Sequence, residues 1–292
     1  LSALLLLLTK DFETAFPNRV VRRDHTATVI AAGHGMQKQL LINGVGITSL
    51  TPITKMMVHL PMASLDHPPA KGLVLCFGMG TSFRSLLAWN VPTTAVELVP
   101  SVPDLFGFFH EGQADLLRSP LATIVIDDAR RFLERSRETF DVIVIDPPPP
   151  IEAAASSLLY SKEFYASAAK RLAPAGILQQ WIPGGEPIVI SAVTRALKES
   201  FPYVRAFPSV EGWGIHYLAS RVPIQQRSAA QLAALLPPSA AQDLLAWGPR
   251  RTATEQFQAV VGSERSVQKL IRADPAAPAE SADRPVNEYY FL

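Results

Sequence analysis

The sequence predicts an α/β fold in which a mostly parallel sheet follows a small antiparallel β subdomain. Between Gly72 and Pro150 four short apolar runs begin LVLCFGMGTSF at Leu73, TTAVELVPSV at Thr93, TIVIDDARRFL at Thr123 and FDVIVIDPPPP at Phe140. Each meets glycine, an acid or proline, and helix-like segments separate them. That is the rhythm of βα units with polar groups collected at the strand ends. Residues 19 to 62 lack this rhythm and carry hairpin signals instead.

Along the chain, Arg19 to Ala32 alternates over part of its length and Gly33-His34-Gly35 marks a turn. QLLI (Gln39 to Ile42) runs into Asn43-Gly44, a favoured hairpin corner. Pro52 to Pro61 reads as a short helix with Met56 and Met57 as packing residues. Thr81 to Trp89 is the expected helix after the glycine loop, and Pro103 to His110 begins the next. Ser161 to Leu172 reads as a helix with Ser161 at its N-cap. A strand (Gly176 to Ile182), a helix (Pro187 to Ser200) and a closing hairpin (Tyr203 to Pro208, Gly214 to Ser220) follow. From Pro223 the pattern is helical and alanine-rich, broken at Pro237-Pro238, and Pro275 to Ala282 reads as a surface linker.

Hydrophobic content of 48% and charged content of 18% describe a folded chain rather than a disordered one. With 27 basic and 26 acidic residues, nothing in the charge balance points to nucleic acid as a partner. The single cysteine, Cys76, has no internal disulfide partner and is expected to be a small buried hydrophobe. Leu1 to Leu8 is almost wholly apolar, but a span needs about 20 residues. It reads either as the end of a membrane helix or as the first turns of a packed amphipathic one. His25, His59 and His216 show no metal-ligand spacing, so no metal is expected and His59 is read as structural.

The chemistry is expected at the strand ends. Gly78 and Gly80, either side of Met79, follow a strand and precede a helix, where a ligand can approach the backbone and the helix offers free N–H groups. Phe83 stands where a nicotinamide-binding fingerprint would have its third glycine. Glu97 ends the second strand, where a carboxylate accepts ribose hydroxyls. Asp128 is placed to accept from an adenine amine, with Ala129 leaving space for the ring; Asp127 competes for that role or caps the following helix. Asp146 ends the fourth strand, where it orients an amine or sulfonium, acts as a base or caps structure. Pro147 to Pro150, without N–H donors, form a stiff wall beside it. Glu152, Tyr160 and Tyr165 follow, lining the acceptor side or packing; Asp146 and Tyr160 are the candidate catalytic residues. The set describes a nucleoside site, read as one for S-adenosylmethionine or a relative.

These residues resemble the polyamine aminopropyltransferases, the spermidine synthase family, and most closely spermidine synthase-like domains attached to bacterial membrane segments. QLLINGVG and MMVHLP are similar to the family's β-domain and junction segments, FGMG to its glycine loop, IDPPPP with LLYSKEFY to its catalytic loop, and DRPVNEYYFL to the end of membrane-attached members. The resemblance implies a methyltransferase-like Rossmann domain with a seven-stranded, mostly parallel sheet. It divides the chain into a possible membrane or packed segment (1–18), a β subdomain (19–62), the Rossmann domain (63–222) and a helical extension (223–292). It also implies S-adenosylmethionine or its decarboxylated form as cofactor, a homodimer, and a place at the cytoplasmic face of the inner membrane beside an attached spanning segment.

The departures from the family pattern bear on the reaction. Met79 replaces the glycine-loop aspartate, Pro149 the second aspartate of the catalytic loop, His25-Thr26 a tyrosine-glutamine pair, and Met57 or a neighbour a glutamate. Losing those acids weakens attraction for a cationic diamine. Three functions follow from the sequence: alkyl transfer from a sulfonium nucleoside to a small-molecule acceptor that is not the usual putrescine; cyclising cleavage of S-adenosylmethionine, releasing methylthioadenosine with no acceptor; or a non-catalytic nucleoside sensor or scaffold.

Overall fold

The structure is a computed structural model and describes residues 11–147, 156–248 and 250–289. The Leu1 to Leu8 run, Pro148 to Pro150, Glu152 and the last three residues of DRPVNEYYFL lie outside the described residues. Among the described residues no helix is long and apolar enough to cross a membrane.

The chain first builds a four-stranded antiparallel sheet from β1 (Arg19–Arg23), β2 (Thr28–Ala32), β3 (Gln39–Ile42) and β4 (Val45–Ser49). The partly alternating run from Arg19 is therefore a hairpin, with Arg23 opposite Thr28. Asn43 and Gly44, both at positive φ, turn β3 into β4. Helix α1 (Pro52–Ser64) then leads to the main sheet, its first turn capped by Thr51 Oγ1, which accepts from Ile53 N at 2.8 Å.

The main sheet has seven strands: β5 (Gly72–Leu75), β6 (Thr93–Glu97), β7 (Ala122–Ile126), β8 (Phe140–Ile145), β9 (Leu172–Ile182), β10 (Tyr203–Pro208) and β11 (Ile215–Ser220). Their spatial order is β10-β11-β9-β8-β5-β6-β7. The pairs from β7 to β9 are parallel, and β10 and β11 form the antiparallel closure. The order reverses between β5 and β8. In an open α/β sheet that is where a crevice opens beyond the strand ends.

Alternation along β8 shows why the sheet needs cover on both faces. Val142 and Val144 join one apolar core with Met56 of α1, Phe83 of α2 (Thr81–Leu87) and Phe257. Ile143 and Ile145 join the other with Leu133 of α4 (Ala129–Arg135), Phe164 of α5 (Lys162–Ala169) and Val193 of α6 (Pro187–Ser200). The short α3 (Phe106–Phe109) lies between β6 and β7 in the chain. Ser161 caps α5 as expected, its Oγ accepting from Phe164 N.

The C-terminal helices α7 (Ala229–Ala234), α8 (Pro238–Leu245) and α9 (Ala253–Val261) contribute Leu232, Leu244 and Phe257 to the first core. Beyond them lie α10 (Val267–Ile271) and α11 (Val286–Tyr289). The Pro275 to Ala282 stretch is not a solvated linker. Glu280 is fully buried, its N–H donating to Ala192 O and its carbonyl accepting from Lys162 N, both at 3.0 Å. Backbone pairing decides this, and a proline- and alanine-rich composition does not reveal it.

Candidate active site

A cavity of about 450 Å³ opens at the β5/β8 crevice and extends under the β subdomain. Its strand-end wall includes Gly78, Met79, Glu97, Asp128, Ala129, Asp146 and Pro147. Thus seven of the expected site residues meet in one space.

The floor is built by the turn after β5. Cys76, a non-glycine residue, takes φ +72°, and Phe77 N and Gly78 N both donate to Glu97 Oε2, at 3.0 and 3.2 Å. Val99 N donates to Glu97 Oε1 at 2.9 Å. Burial pushes the Glu97 carboxyl up, against these backbone donors. Three of roughly four lone-pair positions of the carboxylate are therefore engaged in shaping the loop. Glu97 organises the glycine loop as well as facing the cavity. The Cys76 thiol also lines the cavity, and burial with the nearby carboxylates raises its pKa well above the ordinary value. It is no activated nucleophile.

The two glycines do different work. A Cβ on Gly78 (φ +54°) would meet nothing within 4 Å, so that backbone faces open space. A Cβ on Gly80 (φ +77°) would lie 2.5 Å from Phe106 and 2.8 Å from Phe77, so packing alone requires glycine there. Gly80→Ala is expected to cost about 2–4 kcal/mol in urea unfolding from backbone strain plus overpacking. Gly78→Ala is expected to cost only about 1 kcal/mol yet weaken binding of a ligand in this cavity tenfold or more. Equal effects of the two substitutions on stability would refute the distinction.

Asp128, not Asp127, caps α4: its Oδ1 accepts from Arg131 N at 2.9 Å, while Asp127 pairs with the Arg131 side chain. Both aspartates line the cavity. Asp146 Oδ2 accepts from Ser82 Oγ at 2.8 Å, and burial raises its carboxyl to about 6, with the Ser82 bond opposing. Ser82 stands in the first turn of α2, a partner that the sequence reading did not single out.

Other expected residues are placed elsewhere. Tyr160 is 1% exposed in the second core and is not among the residues that line the cavity. Tyr165 is equally buried, its hydroxyl donating to Gln180 Oε1 at 3.3 Å. Leu159 and Ser156 reach the cavity instead. His25 and Thr26 are exposed in the β1–β2 turn and do not line it, whereas Met57 and Met79 do.

Behind the glycine loop lies a polar network that the sequence did not announce. His110 Nε2–H donates to Met79 O at 3.0 Å, and Arg84 Nη1 donates to His110 Nδ1 at 3.3 Å. Burial, then the Arg84 charge, pushes the His110 ring down to about 3, so it serves as a neutral relay. Arg84 Nη2 donates to Asp243 Oδ1 of α8 at 2.6 Å. His59 Nε2 and Ser85 Oγ meet Asp243 Oδ2 at 2.9 and 2.7 Å, and Trp89 Nε1 donates to His59 Nδ1. His59 is thus a satisfied structural histidine. Among the described residues no group of three or more acid, histidine or cysteine ligands is placed to hold a metal.

The spermine/spermidine synthase domain model matches residues 51–220, more than half of the chain. The chain belongs to the spermine/spermidine synthase family. Polyamine aminopropyltransferase of Sulfurisphaera tokodaii is 30% identical over 178 residues, covering 57% of this chain and 58% of that protein. Putrescine N-methyltransferase 2 of Nicotiana tabacum is 31% identical over 132 residues, covering 44% of this chain and 36% of its own. The chain therefore spans less than two thirds of the length of these relatives. Spermidine synthase from Thermotoga maritima superposes with a TM-score of 0.66 at 17% identity, covering 88% of each chain. Human methyltransferase-like protein 13, solved with SAH, gives 0.53 at 19% identity, covering 69% of this chain and 95% of that one. Spermidine synthases and methyltransferase-like proteins thus share this fold, in which β5 to β11 run in the order 3-2-1-4-5-7-6 when counted from β7 with β5 as the first strand.

Proposed function

We propose that this family member binds S-adenosylmethionine or its decarboxylated form across the β5/β8 crevice and transfers an alkyl group to an acceptor other than putrescine. One observation carries the reading: Gly78, open on its Cβ side, lines the same cavity as Glu97, Asp128 and Asp146. Asp128 and Ala129 would hold the adenine, Glu97 a ribose hydroxyl, and Asp146 with Pro147 the sulfonium end. When bound, the sulfonium supplies an activated leaving group. The chain's own residues then bind, orient and exclude water, which suffices for a displacement of this kind. Met57 and Met79, buried in the cavity wall where the resemblance led us to expect acids, support an acceptor that is not a diamine.

The absence of a described carboxylate from the far side of the cavity also suits cyclising cleavage, which needs no acceptor. Product analysis after incubation with S-adenosylmethionine, with and without added nucleophiles, separates the readings. A strict requirement for an acceptor supports transfer. Methylthioadenosine from the cofactor alone supports cleavage, and binding without turnover across varied acceptors supports a sensor.

Asp146 yields a pH prediction. Its carboxyl, raised to about 6, is neutral below that pH and anionic above it. A cationic sulfonium prefers the anion, so S-adenosylmethionine affinity should fall by about tenfold per pH unit below pH 6 and level off above it. Uncharged methylthioadenosine should bind with little change across pH 4.5 to 8, and Asp146→Asn should flatten the sulfonium profile. Parallel profiles for both ligands in the unsubstituted protein would exclude Asp146 as the sulfonium partner.

A further inference from the structure

Resting on the transferase reading above, we propose that the far half of the cavity takes a neutral, largely apolar acceptor: an aromatic or branched aliphatic body bearing one thiol, hydroxyl or aromatic amine. Beyond the strand ends the cavity wall comes from β3, α1, β9 and the β10–β11 turn, through Leu40, Ile42, Ile53, Met57, Trp181 and Trp213. The polar side chains described there are hydroxyls, and Thr51 Oγ1 already caps α1. Among the described residues four carboxylates line the cavity, all at or just beyond the ends of β6, β7 and β8, and each already has a partner within the fold. Glu97 accepts three backbone N–H groups, Asp127 pairs with Arg131, Asp128 caps α4 and Asp146 accepts from Ser82. Among the described residues none reaches the cavity from the β subdomain, α1, β9 or the β10–β11 turn. An ammonium leaving water needs a counter-charge, and a diamine needs two; an apolar body gains from the same lining.

The tryptophan pair sharpens the acceptor's shape. Trp181 and Trp213 meet edge to face, with ring centroids 5.2 Å apart at 78°. Trp213 is 48% exposed, large for an aromatic at a cavity rim. Gly214, at φ +81°, lets the turn close over Trp181; a Cβ there would lie 2.7 Å from Trp181 Nε1. That indole nitrogen is buried beneath Gly214 and has no hydrogen-bond partner among the described residues, so it is the ring, not the N–H, that Trp181 offers the cavity. The expected acceptor is therefore a ring or branched chain that packs on these indoles and carries one nucleophile. In the step, the nucleophile's lone pair bonds to the sulfonium-bound carbon and the C–S pair returns to sulfur, leaving a neutral thioether. The nucleophile's proton passes to the Asp146 carboxylate.

The test uses the purified chain saturated with methylthioadenosine and titrated calorimetrically with indole and, separately, with 1,4-diaminobutane. Indole should bind at least tenfold more tightly than the diamine. Trp213→Glu, on an exposed turn, should erase or reverse that ratio while methylthioadenosine affinity stays within twofold. Diamine binding as tight as indole, or a ratio untouched by Trp213→Glu, would overturn the proposal while leaving the cofactor reading intact. Failure to bind methylthioadenosine at all would bring down the transferase reading and this inference with it.

Discussion

Asp243→Asn should be among the most destabilising single substitutions in the chain, costing about 3–5 kcal/mol, because it strands two buried cations. The Asp243 side chain is 9% exposed and faces Arg84, His59 and Ser85, while Lys55 Nζ donates to its backbone carbonyl at 2.5 Å and stands 3.6 Å from Oδ1. Burial alone would raise the Asp243 carboxyl; the His59 hydrogen bond and the Lys55 and Arg84 charges overturn that and hold it well below the ordinary value. For a depressed acid, the contribution is present above the unfolded carboxyl pKa and is lost as pH falls below it. Asparagine keeps the shape but removes the charge and turns N–H groups toward donors. The Trp247 ring, 4.0 Å from Lys55 Nζ and 4.9 Å from the Arg84 guanidinium, offers only partial compensation. Thermal unfolding should drop by on the order of 10 °C. Adding Lys55→Met to Asp243→Asn should recover part of the loss, since it removes one orphaned charge. A loss under about 1 kcal/mol for Asp243→Asn alone would show that the cluster is solvated enough to need no counter-ion.

That network also shows where the sequence stops being legible. The βα rhythm, the Asn43-Gly44 corner and the strand-end acids could be read because each is a local pattern tied to a period or a turn. The seven-stranded, mostly parallel sheet followed from the family resemblance. Asp243 sits about 160 residues from Arg84 in an alanine-rich helical stretch, and nothing in AQDLL says which buried cations it will meet. Tyr160 shows a different limit: a motif placed it beside the catalytic loop, and the structure buries its side chain in the second core with Phe164, a packing that the motif does not reveal. Gly78 and Gly80 were indistinguishable as letters; only the direction in which a Cβ would point separates open space from a packing contact. The apolar far wall was foreshadowed by Met57, yet Trp181 and Trp213 join it only because β9 and the β10–β11 turn converge there.

Glu97→Ala should lower methylthioadenosine affinity by at least a hundredfold, a larger effect than loss of one ribose hydrogen bond would produce. On the proposed reading the carboxylate serves two tasks. It accepts from Phe77 N, Gly78 N and Val99 N, and so fixes the turn that carries Gly78 into the cavity. Alanine leaves the buried Phe77 and Val99 N–H groups and the half-buried Gly78 N–H without their acceptor, each buried one costing roughly 1–3 kcal/mol unless the turn relaxes. Relaxation would release Cys76 from its φ of +72° and move the loop off its binding geometry. Glu97→Gln separates the tasks. Its carbonyl oxygen can accept from one side of the loop, but its NH₂ faces donors on the other, so stability should fall less than with alanine while affinity still drops tenfold or more. Calorimetric binding and urea unfolding on both variants check this. If Glu97→Ala bound methylthioadenosine as well as the unsubstituted protein, the ribose assignment would fail. If it lost binding with no loss of stability, the loop-organising role would fail instead.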